Sequence, residues 1–294
     1  MFVDEIFLDI AKAFDTVPHQ RLLYKLSRYG IQGDLLTWIE SFITGRKQVV
    51  RVKDKLSNAV NVTSGVPQGS VLGPLLFLLY IDDLTSYCEH SESKIFADDT
   101  KLYGKVCNVK DAEILQNDLD NIYEWSKEWN LKFNASKCNI LHYGKKNERF
   151  LYHLNGNLID HREEEKDLGV YVSEDMTFQK QLQSCVAKAN KLLAMIKTTF
   201  TYLTKDVFLQ LYKVYVRPVL EYGQEIWSPH LQKDIDILEK VQQRATKLIP
   251  ELEELPYEDR LSQLKLYSLK ARRQRGDMIT MYKIHHGLID KLVS

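Results

Sequence analysis

An α+β fold is predicted: a β-α-β-β-α-β unit in the ferredoxin-like order, followed by a region that is helical almost throughout. Three observations predict it. Apolar and polar residues alternate in short runs near residues 5–11, 93–104 and 139–143, the period of a half-buried strand. Between those runs lie stretches with a 3.6-residue period, the longest marked by Ile114, Leu115, Leu119, Ile122, Trp125 and Trp129. Beyond about residue 176 the strand period disappears and helical spacing takes over.

In chain order, the first strand carries Ile6-Phe7-Leu8 and leads to a helix beginning near Pro18, whose fixed φ suits a first turn. Leu22, Leu23 and Leu26 share one face of that helix. A second helix, over 35–43, stops at Gly45. Residues 48–52 and 59–62 alternate like a hairpin and form an insertion between the first two core strands. A helix follows Pro74, then the hairpin over 93–104, the long amphipathic helix and a strand at 139–143. Two short strand-like pieces, 150–154 and 167–172, precede a helix marked by Val186, Ala189, Leu192, Leu193 and Ile196. Further helices are expected at about 205–216, 233–249 and 257–285, punctuated by Pro218, Pro229, Pro250 and Pro256. The expected domains are 1–175, 176–204 and 205–294.

Composition narrows the function classes. At 294 residues the chain is long enough for a substantial core. Cys88, Cys107, Cys138 and Cys185 contain no C-x-x-C pair, so a zinc framework is not expected; without a secretory signal, neither is a disulfide one. The longest apolar run, 71–81, falls well short of the ~20 residues of a membrane helix. An intracellular, soluble chain with no membrane partner is therefore expected. The net charge is zero but uneven: residues 1–175 carry 21 Lys and Arg against 27 Asp and Glu, residues 176–294 carry 19 against 13. An acidic half joined to a basic helical half suits an enzyme that grips a polyanion beside its cations.

The chemistry concentrates at Asp98 and Asp99, adjacent carboxylates at the tip of the 93–104 hairpin. Like charges so close repel. A divalent cation removes the repulsion, and hard carboxylate oxygens are what Mg²⁺ prefers. Asp9, ending the first strand, supplies a third carboxylate, and two strands delivering all three to one sheet edge would make a two-metal nucleotidyl-transfer centre. A second pair, Asp82–Asp83, ends an apolar helix-like run with no strand after it and is read as a helix terminus. Asp15, past the strand, is read as a turn or helix-start residue.

Three strings, LDIAKAFDTVPH (8–19), SGVPQGSVLGPLLFLLYIDDL (64–84) and FADDTKLYG (96–104), resemble successive motifs of a reverse transcriptase palm. Their wording is similar to that of non-LTR, LINE-like retrotransposons of the jockey and chicken-repeat group. LYKVYVRPVLEYGQEIWSPH (211–230), LEKVQQRATKLI (238–249) and the stretch around Arg275-Gly276-Asp277 resemble the region after the polymerase in the same elements. The resemblance implies a polymerase palm, a helical thumb over 176–204 and a helical C-terminal extension over 205–294, with the fingers largely absent. It implies RNA-directed DNA polymerisation with two Mg²⁺ ions (Mn²⁺ as a substitute), dNTPs, a DNA primer and an RNA template, in the nucleus.

The resemblance also assigns residues. Asp9 and Asp98 would hold the metals, and Asp99 would complete or orient the set. Phe14 falls where the family places a ring that leaves no room for a 2′-hydroxyl; otherwise it is a core aromatic. Gly65, Pro67, Gln68 and Gly69 match the nucleotide-and-template loop, which without the resemblance is a Pro-Gly turn. Lys137 matches a lysine beside the leaving pyrophosphate, where an ammonium acts as general acid; the plain reading is a solvated lysine. Leu168, Gly169 and Val170 resemble the loop that grips the primer end. Lys270, Arg272, Arg273 and Arg275 either contact phosphate or line a solvated helix face. Two other functions stay open: a catalytically inactive remnant that binds nucleic acid, and a metal-dependent phosphohydrolase, which would have no use for Pro67-Gln68-Gly69.

Overall fold

The first strand, β1 (Val3–Asp9), decides what the sheet can do. Asp4, Ile6 and Leu8 are buried, and Val3, Glu5, Phe7 and Asp9 between them are half-exposed, so the sheet has one packed face and one more open one. A single turn, α1 (Ala13–Thr16), precedes α2 (His19–Arg28), which buries Leu22, Leu23 and Leu26 as their spacing predicts, and α3 (Gly33–Ile43). The insertion is an exposed ribbon in which β2 (Lys47–Gln48) pairs with β5 (Val60–Asn61) and β3 (Arg51–Val52) with β4 (Lys55–Leu56).

Then come α4 (Leu72–Ile81), β6 (Glu92–Phe96), β7 (Asp99–Lys105), α5 (Val109–Trp129) and β8 (Asn139–Tyr143). α5 starts where Asn108 accepts a hydrogen bond from the Asp111 N–H and ends at Asn130, whose φ of 55° stops the helix. A small hairpin of β9 (His153–Leu154) and β10 (Asn157–Leu158) leads to β11 (Asp160–His161), which joins β8 in parallel. The sheet order is β11-β8-β1-β7-β6, and its four core strands are antiparallel neighbours in the ferredoxin-like order. Phe77 and Tyr80 of α4 and Leu115, Leu119, Ile122 and Trp125 of α5 share one core with Ile6, Leu8 and Leu102. Each such side chain stabilises the fold by about 1.5–3 kcal/mol relative to leaving it in water.

One buried charge has no periodic signature. Asp4, fully buried, accepts hydrogen bonds from His142 Nδ1 (2.8 Å), Asn147 Nδ2 (2.7 Å) and the Tyr152 hydroxyl (2.7 Å), which satisfy it without water. The network braces the end of β1 opposite Asp9.

This computed structural model describes residues 2–289, in two compact units: residues 2–165 with 173–175, and residues 166–172 with 176–289. The hairpin of β12 (Glu164–Asp167) and β13 (Val170–Ser173) is followed by α6 (Gln179–Thr199), α7 (Lys205–Leu211), a π-helical turn over 212–216, α8 (Arg217–Glu221), α9 (Gln224–Trp227), α10 (Gln232–Thr246), α11 (Tyr257–Leu264) and α12 (Leu269–His285). Leu193, Phe208, Tyr212, Leu238, Val241 and Leu264 belong to one core, so the helix over 176–204 packs in the same unit as the helices after it. Residues 290–294 of the last expected domain lie outside the described residues.

One helix expectation is corrected and another refined. The helix over 257–285 is two helices: Lys265, with φ of 49°, ends α11, and the Ser268 hydroxyl accepts from the Ala271 N–H to start α12. The helix over 205–216 widens into its π-turn just before Pro218, which has no N–H to continue the ladder. The four cysteines are free, and no helix among the described residues is long and apolar enough to cross a membrane.

Candidate active site

β1 and β7 pair so that Asp9 lies directly opposite Asp99. Opposed residues of an antiparallel pair share a face, with Cβ atoms about 4.5–5.5 Å apart. Phe96 pairs with Asp99, which makes Ala97-Asp98 a two-residue turn and puts all three aspartates at one end of two neighbouring strands. Ala97 takes a φ of 54°, a left-handed conformation that costs an L-residue roughly 1–2 kcal/mol. Backbone strain of this kind gathers at functional turns.

Beyond Asp9 the chain is held by the segment after α5. Ile10 bridges Phe133, the Ala11 N–H donates to Lys132 O (2.7 Å) and the Asn134 N–H donates to Asp9 O (2.8 Å). That segment delivers Lys137, whose Nζ stands 3.4 Å from Asp9 Oδ1. The Lys137 side chain is 64% exposed, so the pair itself is worth at most about 1 kcal/mol. Among the described residues no three His, Cys, Asp or Glu side chains are gathered closely enough to hold a metal. The three aspartates match a hard divalent ion in donor type alone: carboxylates only, two of them opposed across one strand pair and the third in the adjoining turn.

The 65–73 loop is clamped to the chain just after β1. The Val66 N–H donates to Phe14 O and the Gly65 N–H to Val17 O, both at 2.8 Å. Gly65 has φ of +87°, and a Cβ there would stand 2.7 Å from Asp15 O, so no other residue fits. Its own carbonyl accepts from His19 Nε2 (2.9 Å) and Arg46 Nη2 (2.6 Å). Pro67 O accepts from the Ser70 hydroxyl, and Gly69 turns the chain with φ of +79°. Asp15 lies in the one-turn helix, as its reading as a helix-start residue expects, and its carboxylate also accepts from Gln68 Nε2 at 2.8 Å. Sequence reasoning missed that contact, since nothing local links residues so far apart. Phe14, half-buried, stacks on Phe77 with centroids 4.5 Å apart.

In the second unit Leu168 (φ 43°) and Gly169 (φ 88°) make the tip of the β12–β13 hairpin, both left-handed as a type I′ turn requires. Asparagine is usual at the first position, and a leucine there is a conformational outlier. Tyr222 holds it: its hydroxyl donates to Leu168 O at 2.7 Å, and a Cβ on Gly169 would come within 3.2 Å of its ring. A Cβ on Gly223 would press on Val170 Cγ2 at 2.9 Å, and Trp227 Nε1 donates to Tyr222 O at 2.8 Å. The segment 222–227 is thus a brace for residues 168–170, a role its sequence did not announce.

The second aspartate pair has other partners. Asp83 accepts from Lys25 Nζ (2.5 Å) and Trp125 Nε1 (2.8 Å), and Asp82 accepts from the Tyr29 hydroxyl (3.3 Å). Burial and these carboxylates push the Tyr29 hydroxyl up to about 12. The pair lies in a 3₁₀ turn ending α4, as expected of a helix terminus. The basic run divides. Arg272 grips Glu221 through both Nε and Nη2, and Arg273 is buried, where desolvation lowers its pKa; only Lys270 and Arg275 are exposed. A uniform solvated or phosphate-binding face over all four residues is therefore corrected, because the α12 helix turns two of them inward.

The family described as reverse transcriptase (RNA-dependent DNA polymerase) matches residues 5–205. The RNA-directed DNA polymerase from mobile element jockey of Drosophila funebris is 32% identical over 79% of this chain and 27% of that protein. The probable RNA-directed DNA polymerase from transposon X-element of Drosophila melanogaster is 30% identical over 84% of this chain and 28% of its own length. The chain spans roughly a quarter of these relatives. Among solved structures, a telomerase from Candida albicans in complex with a fragment of telomeric RNA aligns with a TM-score of 0.48 and 12% identity, over 91% of this chain and 51% of that one.

Proposed function

Because the chain belongs to the reverse transcriptase family, we propose that it carries the polymerising centre of a non-LTR retrotransposon enzyme, which extends a DNA primer along an RNA template with dNTPs. The observation that supports this most is the register that sets Asp9 opposite Asp99 beside the Ala97-Asp98 turn.

Asp9 and Asp98 would hold two Mg²⁺ ions, or Mn²⁺ in their place, with Asp99 completing the set. When bound, the ions supply activation of the primer 3′-hydroxyl and neutralisation of the departing pyrophosphate. The remaining roles belong to the chain. Asp15 fixes the Gln68 amide, so that the 65–69 loop meets the template base and incoming nucleotide in one orientation. Phe14, held from behind by Phe77, closes the space a 2′-hydroxyl would need. Lys137 leaves Asp9 and donates a proton from Nζ to the pyrophosphate. Leu168, Gly169 and Val170 grip the primer end, with residues 176–204 as thumb and 205–289 as its extension. A nuclear location follows from the same reading.

Mn²⁺ binding, followed by electron paramagnetic resonance on the purified chain, tests the centre apart from turnover. Asp9→Asn and Asp99→Asn should each weaken it at least tenfold. Unchanged binding in both variants would overturn the assignment.

A further inference from the structure

In the second unit a cavity of about 510 Å³ opens between α9, the 265–268 link and α12, lined by Gln224, Tyr267, Arg272, Arg275, Gly276 and Ile279. None of these residues has a role in the nucleotidyl transfer proposed above. The cavity is of the size that takes a small organic ligand, about 300–1,000 Å³.

Its chemistry is specific. Tyr267 is 67% exposed, yet its backbone is anchored, because Gln242 Nε2 donates to Tyr267 O at 3.0 Å. An exposed ring on a fixed backbone at a cavity mouth is a stacking platform. Of the two arginines, Arg272 is neutralised by its fork with Glu221. Arg275, one turn further along α12, has no ion pair among the described residues, so it is the cation left for an anionic ligand. The Gln224 amide lies against Gly276, where a Cβ would stand 2.5 Å from Nε2, and its Oε1 is buried with no donor. The terminal amide torsion of glutamine is soft, and a small rotation presents that oxygen to an amino or hydroxyl group in the cavity. Ile279 adds an apolar wall.

We propose that this cavity binds one nucleotide of a single-stranded nucleic acid, with its base on Tyr267, its phosphate on Arg275, and an exocyclic amine or 2′-hydroxyl on Gln224. A free phosphate has no use for the ring. The strand is single because a base must leave its neighbours to lie on a tyrosine.

The test is fluorescence anisotropy of the full chain with labelled single-stranded RNA and DNA of about 12 nucleotides, a length within the span of known single-strand sites. Tyr267→Ala should weaken binding about tenfold and Tyr267→Phe should restore it. Arg275→Gln should weaken binding several-fold and lower the slope of log affinity against log salt by about one. Preference for RNA supports the 2′-hydroxyl as the Gln224 partner, and equal binding supports the base amine. Mn²⁺ binding at the aspartate centre is read separately from this anisotropy, so failure of the polymerase assignment would leave this result standing. Parental affinity for both oligonucleotides in Tyr267→Ala and Arg275→Gln, with unchanged melting, would overturn the proposal.

Discussion

Asp82–Asp83 and Asp98–Asp99 are the same dipeptide put to opposite uses. Asp83 faces Lys25, which is 4% exposed, donates to Tyr80 O and lies 3.7 Å above the Trp129 ring. Burial lowers the Lys25 pKa, and Asp83 is the partner that keeps the ammonium charged. Asp99 instead faces Asp9, a second carboxylate, across a strand pair. Like charges placed directly opposite destabilise a sheet, and the ion pair given to Asp9 is an exposed lysine. Adjacent aspartates are therefore not themselves a signal. What stands opposite them is: Asp83 meets a buried cation, and Asp99 meets a third carboxylate.

The comparison breaks most sharply in activity. Asp99→Asn should cut primer extension about a thousandfold or more, the several kcal/mol a metal contributes to the transition state. Its melting temperature should stay close to the parent's, since asparagine keeps the shape and an acceptor oxygen of the aspartate. A variant that loses both activity and fold would make Asp99 structural, like Asp83.

Asp83→Ala should do the reverse. It leaves the Lys25 ammonium buried without its carboxylate and should destabilise the first unit by about 3 kcal/mol in urea titrations. Adding Lys25→Met should recover most of that loss. Little effect from Asp83→Ala alone would mean that the aromatic rings around Lys25 hold the charge.

Phe14→Ala sharpens the comparison at the edge of the site. Removing a half-buried ring stacked on Phe77 should cost about 2 kcal/mol of stability, and single-nucleotide extension should begin to accept ribonucleotides. Stability loss with unchanged sugar selection would return Phe14 to the core. The smallest effect belongs to Tyr222→Phe, which deletes the hydrogen bond to Leu168 O. A loss of about 1 kcal/mol, with faster amide hydrogen exchange confined to residues 168–170, is expected.

The sequence made the frame of the first unit legible because its cues are local. Alternation placed β1 and the 93–104 hairpin, and helical spacing placed α5, since each reports which face of one element is buried. Helix ends were less visible: Lys265 and Ser268 split one helical pattern through a backbone angle and a cap, neither of which interrupts the apolar period. The site's supporting contacts were not legible. Lys25 finds Asp83 across 58 positions, Tyr222 finds Leu168 across 54, and Asp15 finds Gln68 across 53. Each depends on how elements pack, which no window of adjacent residues records. Asp4 is the extreme case, a charge inside an apolar run whose three partners lie 138–148 positions away.

The clamp on Gly65 and the exposed ribbon before it also decide where this chain tolerates a change of length. A residue inserted between Gly65 and Gly73 would displace tightly fitted backbone: a Cβ added at Gly65 would stand 2.7 Å from Asp15 O, and one added at Gly73 2.3 Å from Pro67 O. Residues 47–61 are exposed throughout, and the ribbon they form can lengthen or shorten at its tip without touching the core. Insertions and deletions between reverse transcriptases of this kind should therefore collect in the ribbon and stop abruptly at Ser64.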